Sequence, residues 1–198
     1  ASCLVGSEMC IRDRYGIEPD LITVAKGLTS AYAPLSASIV GEKVYKVMEE
    51  GADKVGAFSH GYTYSGHPIG VAAANAVLDI VEREDIPGHV SNVGEYFQKS
   101  MQETFGSLPI VGEVRGVGLM AAIEFVADPA TKKRLDPGLK VGARVSKAAR
   151  DRGLIARAMP HGEILGFAPP LVTTRAEVDQ IIDIAHKAVL SVLDELKL

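Results

Sequence analysis

A lysine stands at the end of a short apolar run, where its amine could do chemistry. The run Leu21–Ala25 is rich in β-branched residues, which predicts a buried strand that delivers Lys26 to a loop beginning at Gly27. Burial and neighbours at such a position lower the pKa of an amine, which then serves as a Schiff-base nucleophile or a general base. An ordinary exposed lysine just past a strand fits the same spacing, so both interpretations stay open.

A second candidate is the loop of residues 58–67, which is rich in glycine and hydroxyl groups and precedes a helix predicted to begin at Pro68. Free amides at a helix N-terminus, beside Thr and Ser hydroxyls, can bind a phosphate. A turn whose hydroxyls only cap the helix explains the same residues, and no nucleotide fingerprint accompanies them. His60 and His67 have no third His or Cys at ligand spacing, so no metal site is predicted.

Arg157 is the third candidate. It follows Gly153 on a predicted short strand, and a guanidinium presented from a strand can bind a carboxylate through two parallel hydrogen bonds. An arginine in a surface salt bridge is the alternative that the sequence leaves open.

Helices alternating with short strands must position these residues. The patterns predict strands over 21–25, 36–40, 111–115, 119–125, 154–157 and 164–167, and helices over 42–50, 68–84, 89–104, 141–152 and from 174 onward. The first turns after Pro68 are almost wholly apolar, which predicts burial on all sides. Thr174 and Glu177 fit a capping box. The alternation predicts an α/β fold.

Composition narrows the class of protein. The chain has 198 residues, of which 47% are hydrophobic, and 21 basic against 25 acidic residues give a net charge of −4. Such a chain can bury a core, and it lacks the basic excess expected of a binder of nucleic acids or anionic membranes. No signal peptide or membrane-spanning run is read from it. Cys3 and Cys10 favour a reducing compartment, so a cytoplasmic globular protein is predicted.

Five short motifs occur in order along the chain: Pro19–Leu28, Tyr32–Leu35, His60–Pro68, Arg115–Leu119 and Ala168–Leu171. Together they closely resemble the class III aminotransferases, which are fold-type-I enzymes dependent on pyridoxal 5′-phosphate. The resemblance extends from about Tyr15 to the C-terminus. It implies that residues 15–107 are the C-terminal part of the cofactor-binding large domain. Residues 108–198 would be the small C-terminal α/β domain.

The resemblance implies roles for three residues. Lys26 matches the lysine that forms a Schiff base with pyridoxal phosphate and then shuttles a proton. Thr63 matches the threonine that hydrogen-bonds the cofactor phosphate, and Tyr62 matches the aromatic residue beside it. In the family this threonine usually comes from the other subunit, which implies a homodimer with a shared active site.

The same resemblance bears on the substrates. Family members that use glutamate and 2-oxoglutarate usually carry an arginine at the position of Gly166, three residues before Pro169. Arg157 instead matches the mobile arginine of the ω-amino acid and amine:pyruvate transaminases, which binds the substrate carboxylate. This implies transamination between an amine or ω-amino acid and an α-keto acid, with pyruvate favoured. A 2-oxoglutarate-dependent aminotransferase, an aminomutase and a decarboxylase on the same fold are the alternatives.

Residues 1–14 do not resemble the family's sequence before the position that corresponds to Tyr15. The family's phosphate loop, its ring-stacking aromatic residue and its aspartate on the pyridine nitrogen have no match, and Asp13 is not at the required spacing. We therefore expect a fragment of a longer enzyme, cut by a truncated gene model or a non-native junction. A catalytically silent fragment of such an enzyme is therefore an alternative. In isolation the chain is expected to be poorly soluble, because strand edges near Lys26 would be uncovered.

Two consequences follow for the other predictions. Both cysteines lie in residues 1–14, so the cytoplasmic prediction then depends on acidic composition and the resemblance alone. A non-catalytic α/β interaction domain is the remaining alternative from a different class of function.

Overall fold

The computed structural model describes residues 16–160 and 163–197. The chain divides into two compact units between Asp85 and Ile86. Both units mix helices with short strands, so the predicted α/β class is confirmed. The segment predicted to be unlike the family, residues 1–14 with Cys3 and Cys10, lies outside the described residues.

The described part of the first unit contains two strands and two α-helices. Strand β1 (Leu21–Val24) pairs antiparallel with β2 (Ala37–Val40), and the register sets Val24 opposite Ala37 at the end where the connecting loop begins. Helix α1 spans Glu42–Val55 and α2 spans Pro68–Arg83. The prediction ended α1 at residue 50, but the helix continues through Gly51, because one glycine costs a helix only about 1 kcal/mol.

Burial in the first unit is lower than predicted. On β1 only Val24 is buried, and Leu21 is 59% exposed. On α2 only Gly70 and Ala74 are buried, although its first turns are almost wholly apolar. The prediction that these turns are buried on all sides is wrong for the described residues. Within the unit, Gly70 packs on Leu35, and no described element of this unit covers the other faces of α2.

The second unit is a four-stranded antiparallel sheet with three helices. The strands are β3 (Val111–Val117), β4 (Met120–Phe125), β5 (Arg157–Ala158) and β6 (Ile164–Phe167), in the order β3-β4-β6-β5. The helices are α3 (Ile86–Phe105), α4 (Val141–Arg150) and α5 (Arg175–Leu196). Alternate residues of β4 enter the core, so the helices cover one face of the sheet and leave the other open.

Several boundaries in this unit differ from the predictions, and the starts of β5 and α3 differ most. The strand predicted over 154–157 is only Arg157–Ala158. Helix α3 begins at Ile86 with Pro87 in its first turn, because the amides of a first turn have no partner within the helix, so proline costs nothing there.

Helix α3 belongs to the core of the second unit through Phe97, Met101 and Phe105, all completely buried. The division between compact units therefore lies before α3, whereas the sequence set the domain boundary after it, between residues 107 and 108. As the border between the family's large and small domains, that boundary stays a prediction.

The start of α5 is as predicted. The amide of Glu177 donates to Thr174 Oγ1 at 3.3 Å, and the Thr174 amide donates back to Glu177 Oε2 at 2.7 Å, which completes the capping box. None of the helices among the described residues combines the length and the apolar character that crossing a membrane requires.

Candidate active site

Lys26 lies two residues after the end of β1, as the first residue of a 3₁₀ helix that spans Lys26–Thr29. Its φ is +51°, and Ser30 and Ala31 are also left-handed, with φ of +49° and +62°. Three residues other than glycine in this region cost roughly 1–3 kcal/mol each, and such strain persists only where the surroundings impose it. The turn is closed by the Ser30 amide, which donates to Gly27 O at 3.0 Å.

A buried threonine fixes the part of this loop that leads from the Lys26 turn into β2. Thr29 is 1% exposed, and its hydroxyl donates to the carbonyl of Ala33 at 2.5 Å. The Tyr32 amide donates to the carbonyl of Thr29 at 3.0 Å. Both bonds connect the turn that begins at Lys26 to the segment that leads into β2. The lysine is therefore presented by a loop whose shape is fixed from both sides.

An open depression of about 610 Å³ lies beside Lys26, and its lining comprises Lys26, Ala31, Ala33, Pro34, Leu35 and Ser36. Lys26 is exposed and supplies the only amine of this lining. A mostly apolar wall with one amine fits an aromatic aldehyde, which needs an apolar surface for its ring and a nucleophile for its carbonyl carbon. The prediction placed Lys26 at a loop, and the structure places it there.

Tyr62 and Thr63 lie in the loop between α1 and α2, and neither lines the depression beside Lys26. Tyr62 is 79% exposed, and its ring meets the edge of the His60 ring at 5.5 Å between centroids. The Tyr62 amide donates to Ser65 Oγ at 3.0 Å, which closes the turn.

The capping explanation of this loop does not involve Thr63. The side chain of His67 caps α2, because its Nδ1 accepts from the Ile69 amide at 3.3 Å. The exposed Thr63 hydroxyl has no hydrogen bond to any described residue. It is therefore available for an external acceptor such as a phosphate oxygen. Within residues 16–160 and 163–197, no three His, Cys, Asp or Glu side chains are grouped as a metal site requires.

Arg157 lies on β5 at one edge of the sheet, and the registers align it with Gly166, Ala122 and Arg115 in one row across four strands. This row is on the face that the helices leave open. Arg157 is exposed and forms no ion pair or hydrogen bond through its side chain with any described residue. The salt-bridge interpretation of Arg157 therefore has no partner in the described part of the chain.

The arginine at the other end of the row differs. The Nη1 of Arg115 lies 2.8 Å from Glu113 Oε2 and 2.6 Å from Glu124 Oε2. The hydrogen bond to Glu124 is the main reason why the pKa of Arg115 is raised. Arg115 is thus neutralised within the sheet, whereas Arg157 keeps its charge available for a ligand.

The structure places Lys26, Tyr62 and Thr63 in the first unit and Arg157 in the second. Sequence reasoning assigned no role to residues 31–36, although Tyr32–Leu35 was one of the recognised motifs. It also assigned no role to Met159. The alternation of a strand would have placed Met159 on the same face as Arg157, but the strand was predicted to end at residue 157.

The family model for class-III aminotransferases matches residues 7–189. The match begins inside the segment 1–14, for which the sequence predicted no likeness to the family.

Two curated relatives are transaminases by their names. An uncharacterized aminotransferase of Sinorhizobium fredii is 80% identical over 182 residues, which are 92% of this chain and 39% of that protein. The diaminobutyrate–2-oxoglutarate transaminase of Halomonas elongata is 56% identical over 182 residues, again 92% of this chain and 39% of that protein. The chain thus spans about two fifths of the length of these relatives.

Solved structures agree with the fold. A structure from the directed evolution of transaminases by ancestral reconstruction superposes with a TM-score of 0.91 at 67% identity, covering 93% of this chain and 40% of that one. A PMP-bound aminotransferase from Vibrio fluvialis gives a TM-score of 0.87 at 34% identity, covering 94% and 40%. The fold is therefore that of part of a transaminase.

Proposed function

Because this chain belongs to the class III aminotransferases, we propose that the protein containing it transfers an amino group between an amine or ω-amino acid and an α-keto acid. The observation that carries the proposal is the exposed amine of Lys26 at the wall of an apolar depression. Since the chain spans about 39% of its relatives' length, the activity is proposed for the longer protein.

Pyridoxal phosphate is the proposed cofactor, and when bound it supplies an aldehyde that captures amines and a ring that withdraws electrons. Lys26 would hold it covalently through its amine. The same amine, once released, would carry the proton that leaves the amine-bearing carbon of the substrate. The walls formed by Ala33 and Pro34 would exclude water from one side of the ring.

Thr63 is the proposed ligand of the cofactor phosphate. Its hydroxyl is exposed and bonds to no described residue, and it precedes the N-terminus of α2 by five residues. The exposed aromatic rings of Tyr62 and Tyr64 flank it. An exposed loop of this kind is suited to meet a second subunit, so we retain the homodimer with a shared active site as part of the proposal.

Arg157 is the proposed ligand of the substrate carboxylate, and this favours pyruvate as the acceptor. Pyruvate has one carboxylate, whereas 2-oxoglutarate has two. On the open face of the sheet, within the described residues, Arg157 is unpaired while Arg115 is held by two glutamates. The name of the 56% identical relative favours 2-oxoglutarate as the second candidate acceptor. A cytoplasmic location is the companion proposal, supported by the acidic composition.

Steady-state kinetics of the complete protein test the choice of acceptor. We expect kcat/KM for pyruvate to exceed that for 2-oxoglutarate by about tenfold or more. Arg157 is the one guanidinium proposed to bind a substrate carboxylate, so the second carboxylate of 2-oxoglutarate would have no partner. Arg157→Ala should raise the KM for pyruvate by about 10–100-fold, as expected when a hydrogen bond to a charged group is lost. Arg150→Ala removes an exposed arginine from the same unit and should change neither constant by more than about twofold. A preference for 2-oxoglutarate would overturn the acceptor assignment.

A further inference from the structure

We propose that Met159 is a positioning residue for Arg157: packed over Gly166, it keeps the guanidinium from folding down onto the sheet and so holds it ready for a carboxylate. The inference rests on the proposed role of Arg157 in binding a substrate carboxylate.

The pairing of β5 with β6 places three residues together. Arg157 is directly opposite Gly166, and Ala158 is opposite Leu165. The Met159 amide donates to the carbonyl of Ile164 at 2.9 Å, so the antiparallel pairing continues for one more residue. Side chains alternate along a strand, so Arg157 and Met159 share the open face while Ala158 faces the core.

Met159 occupies the space where Gly166 would carry a side chain. A Cβ built on Gly166 would lie 2.6 Å from Met159 Cε and 3.7 Å from its Sδ. Gly166 is buried although the sheet face is open, and Met159 is 39% exposed. The methionine therefore lies flat across the neighbouring strand and covers the glycine. An unbranched thioether is well suited to such an irregular gap.

Without Met159, the sheet surface beside Arg157 would carry only small side chains, and it would extend toward a glutamate. The residues next to Arg157 in its row are Gly166 and Ala122, which offer at most one methyl group. The adjacent row continues from Met159 through Ile164 to Glu124. Strands are about 4.8 Å apart, so Glu124 lies about 10 Å from β5, within the combined reach of the two side chains.

Glu124 is a competing partner that would neutralise Arg157. Its carboxylate already accepts from Arg115 at 2.6 Å and has lone pairs for a second guanidinium. Met159 lies over Gly166, the residue that adjoins Arg157 in the row leading to β4. Truncation of Met159 would let Arg157 lie over Gly166 toward Glu124, and a substrate carboxylate would then have to break that pair.

The test uses the complete protein and separates KM from kcat. Met159→Ala should raise the KM for pyruvate about 5–10-fold with kcat within about twofold, because only binding of the carboxylate is weakened. The KM for an amine donor without a carboxylate should stay within about twofold. Met159→Leu, which keeps most of the covering volume, should behave like the wild type.

Gly166→Ala in the Met159→Ala background is the matched rescue. Its methyl group refills part of the space over β6, so the KM for pyruvate should return by at least about half of the increase. A KM for pyruvate that is unchanged in Met159→Ala, while Arg157→Ala raises it, would overturn the positioning role. Equal losses in Met159→Leu and Met159→Ala, or a lowered kcat with both substrates, would also overturn it. An unchanged KM in Arg157→Ala would remove the carboxylate role of Arg157 itself, and this proposal with it.

Discussion

The two compact units differ in how they bury apolar residues. Among the described residues, the unit from Ile86 onward contains 26 buried hydrophobic residues, whereas the unit before it contains three, which are Val24, Ala33 and Ala74. Fifteen of the twenty exposed large hydrophobic residues belong to the first unit. The second unit has a closed core of its own, and the first presents apolar side chains that nothing described in it covers.

This difference bears on where the chemistry lies. Lys26 and Thr63 are in the open unit, and Arg157 is on the sheet of the closed one. Apolar faces of this extent on a soluble domain are typical of surfaces that meet other protein. The chain spans about two fifths of its relatives' length. We therefore propose that the longer protein supplies the cover, and that Lys26 and Thr63, the residues proposed to bind the cofactor, depend on it more than Arg157 does.

Separating the units gives the largest expected effect. Residues 86–198 expressed alone should unfold in one cooperative transition with an enthalpy of about 80 kcal/mol, from about 0.7 kcal/mol per residue. Residues 16–85 alone should show no such transition, because burial of three hydrophobic residues cannot offset the chain entropy. Differential scanning calorimetry of the two segments measures both. A cooperative transition in residues 16–85 would show that the first unit also has a closed core of its own.

A matched pair of phenylalanines tests the same contrast within the whole chain. Phe97 is completely buried and packs edge-on against Phe167, with 6.4 Å between ring centroids. Phe97→Ala should lower the free energy of unfolding of the second unit by about 3–5 kcal/mol. Phe58 is 68% exposed in the first unit, and Phe58→Ala should change stability by no more than about 0.5 kcal/mol. Urea unfolding followed by circular dichroism compares the two, and equal losses would contradict the account.

Replacing one glycine in each unit by alanine should change stability by a smaller amount, and in opposite directions in the two units. A Cβ on Gly94 of α3 would lie 2.6 Å from Gly118 Cα, so the helix and the β3–β4 hairpin are in backbone contact. Gly94→Ala should destabilise the second unit by about 1–3 kcal/mol, since backbone must move. A Cβ on Gly51 of α1 would meet nothing within 4 Å, so Gly51→Ala should increase helix content, with a gain of up to about 1 kcal/mol. The urea midpoint measures the effect of Gly94→Ala, and helicity by circular dichroism measures the effect of Gly51→Ala.

The pH dependence of the closed unit gives the smallest effect. The backbone amide and the hydroxyl of Thr174 both donate to the carboxylate of Glu177, which lowers the pKa of that carboxyl. A lowered pKa adds stability above the unfolded-state value of about 4.3, and this stability is lost as the pH falls through the folded-state value. The Tm of Glu177→Gln should lie below that of the wild type at pH 7, and the difference should shrink as the pH falls below the unfolded-state value of about 4.3.

The control for this effect is Glu95→Gln, which changes an exposed glutamate of α3. Its Tm should follow the wild type across the same pH range. A constant difference in Tm between Glu177→Gln and wild type at every pH would show that the charge of Glu177 contributes nothing through the cap.

Sequence signals were sufficient where the determinant is local. The capping box of Thr174 and Glu177 and the position of Lys26 just after a strand depend on residues a few positions apart, and the structure agrees with both. The pairing of β1 with β2 and the place of Met159 over Gly166 depend on registers between distant residues. The left-handed backbone of Lys26 has no sequence signal, because glycine normally marks that conformation.

Burial is the second property that the sequence did not predict correctly. The apolar sequence of α2 is suited to a buried helix, yet most of its side chains are exposed in the described residues. Periodicity reports how much apolar surface a helix presents but not which segment covers it. The residues alone singled out Arg157 and the loop around Thr63 as candidates. The specific roles of Tyr62, Thr63 and Arg157 came from resemblance to a family, since hydroxyl, phenol and guanidinium groups occur on most protein surfaces.

If Lys26 is the residue that holds the cofactor, covalent labelling of the protein should identify it. The complete protein is incubated with pyridoxal phosphate, reduced with borohydride and digested, and the modified peptide is mapped by mass spectrometry. We predict one label, on Lys26, and its loss in Lys26→Ala but not in Lys43→Ala, which changes an exposed lysine of the same unit. A label that persists in Lys26→Ala, or that maps to another lysine in the wild type, would contradict the account.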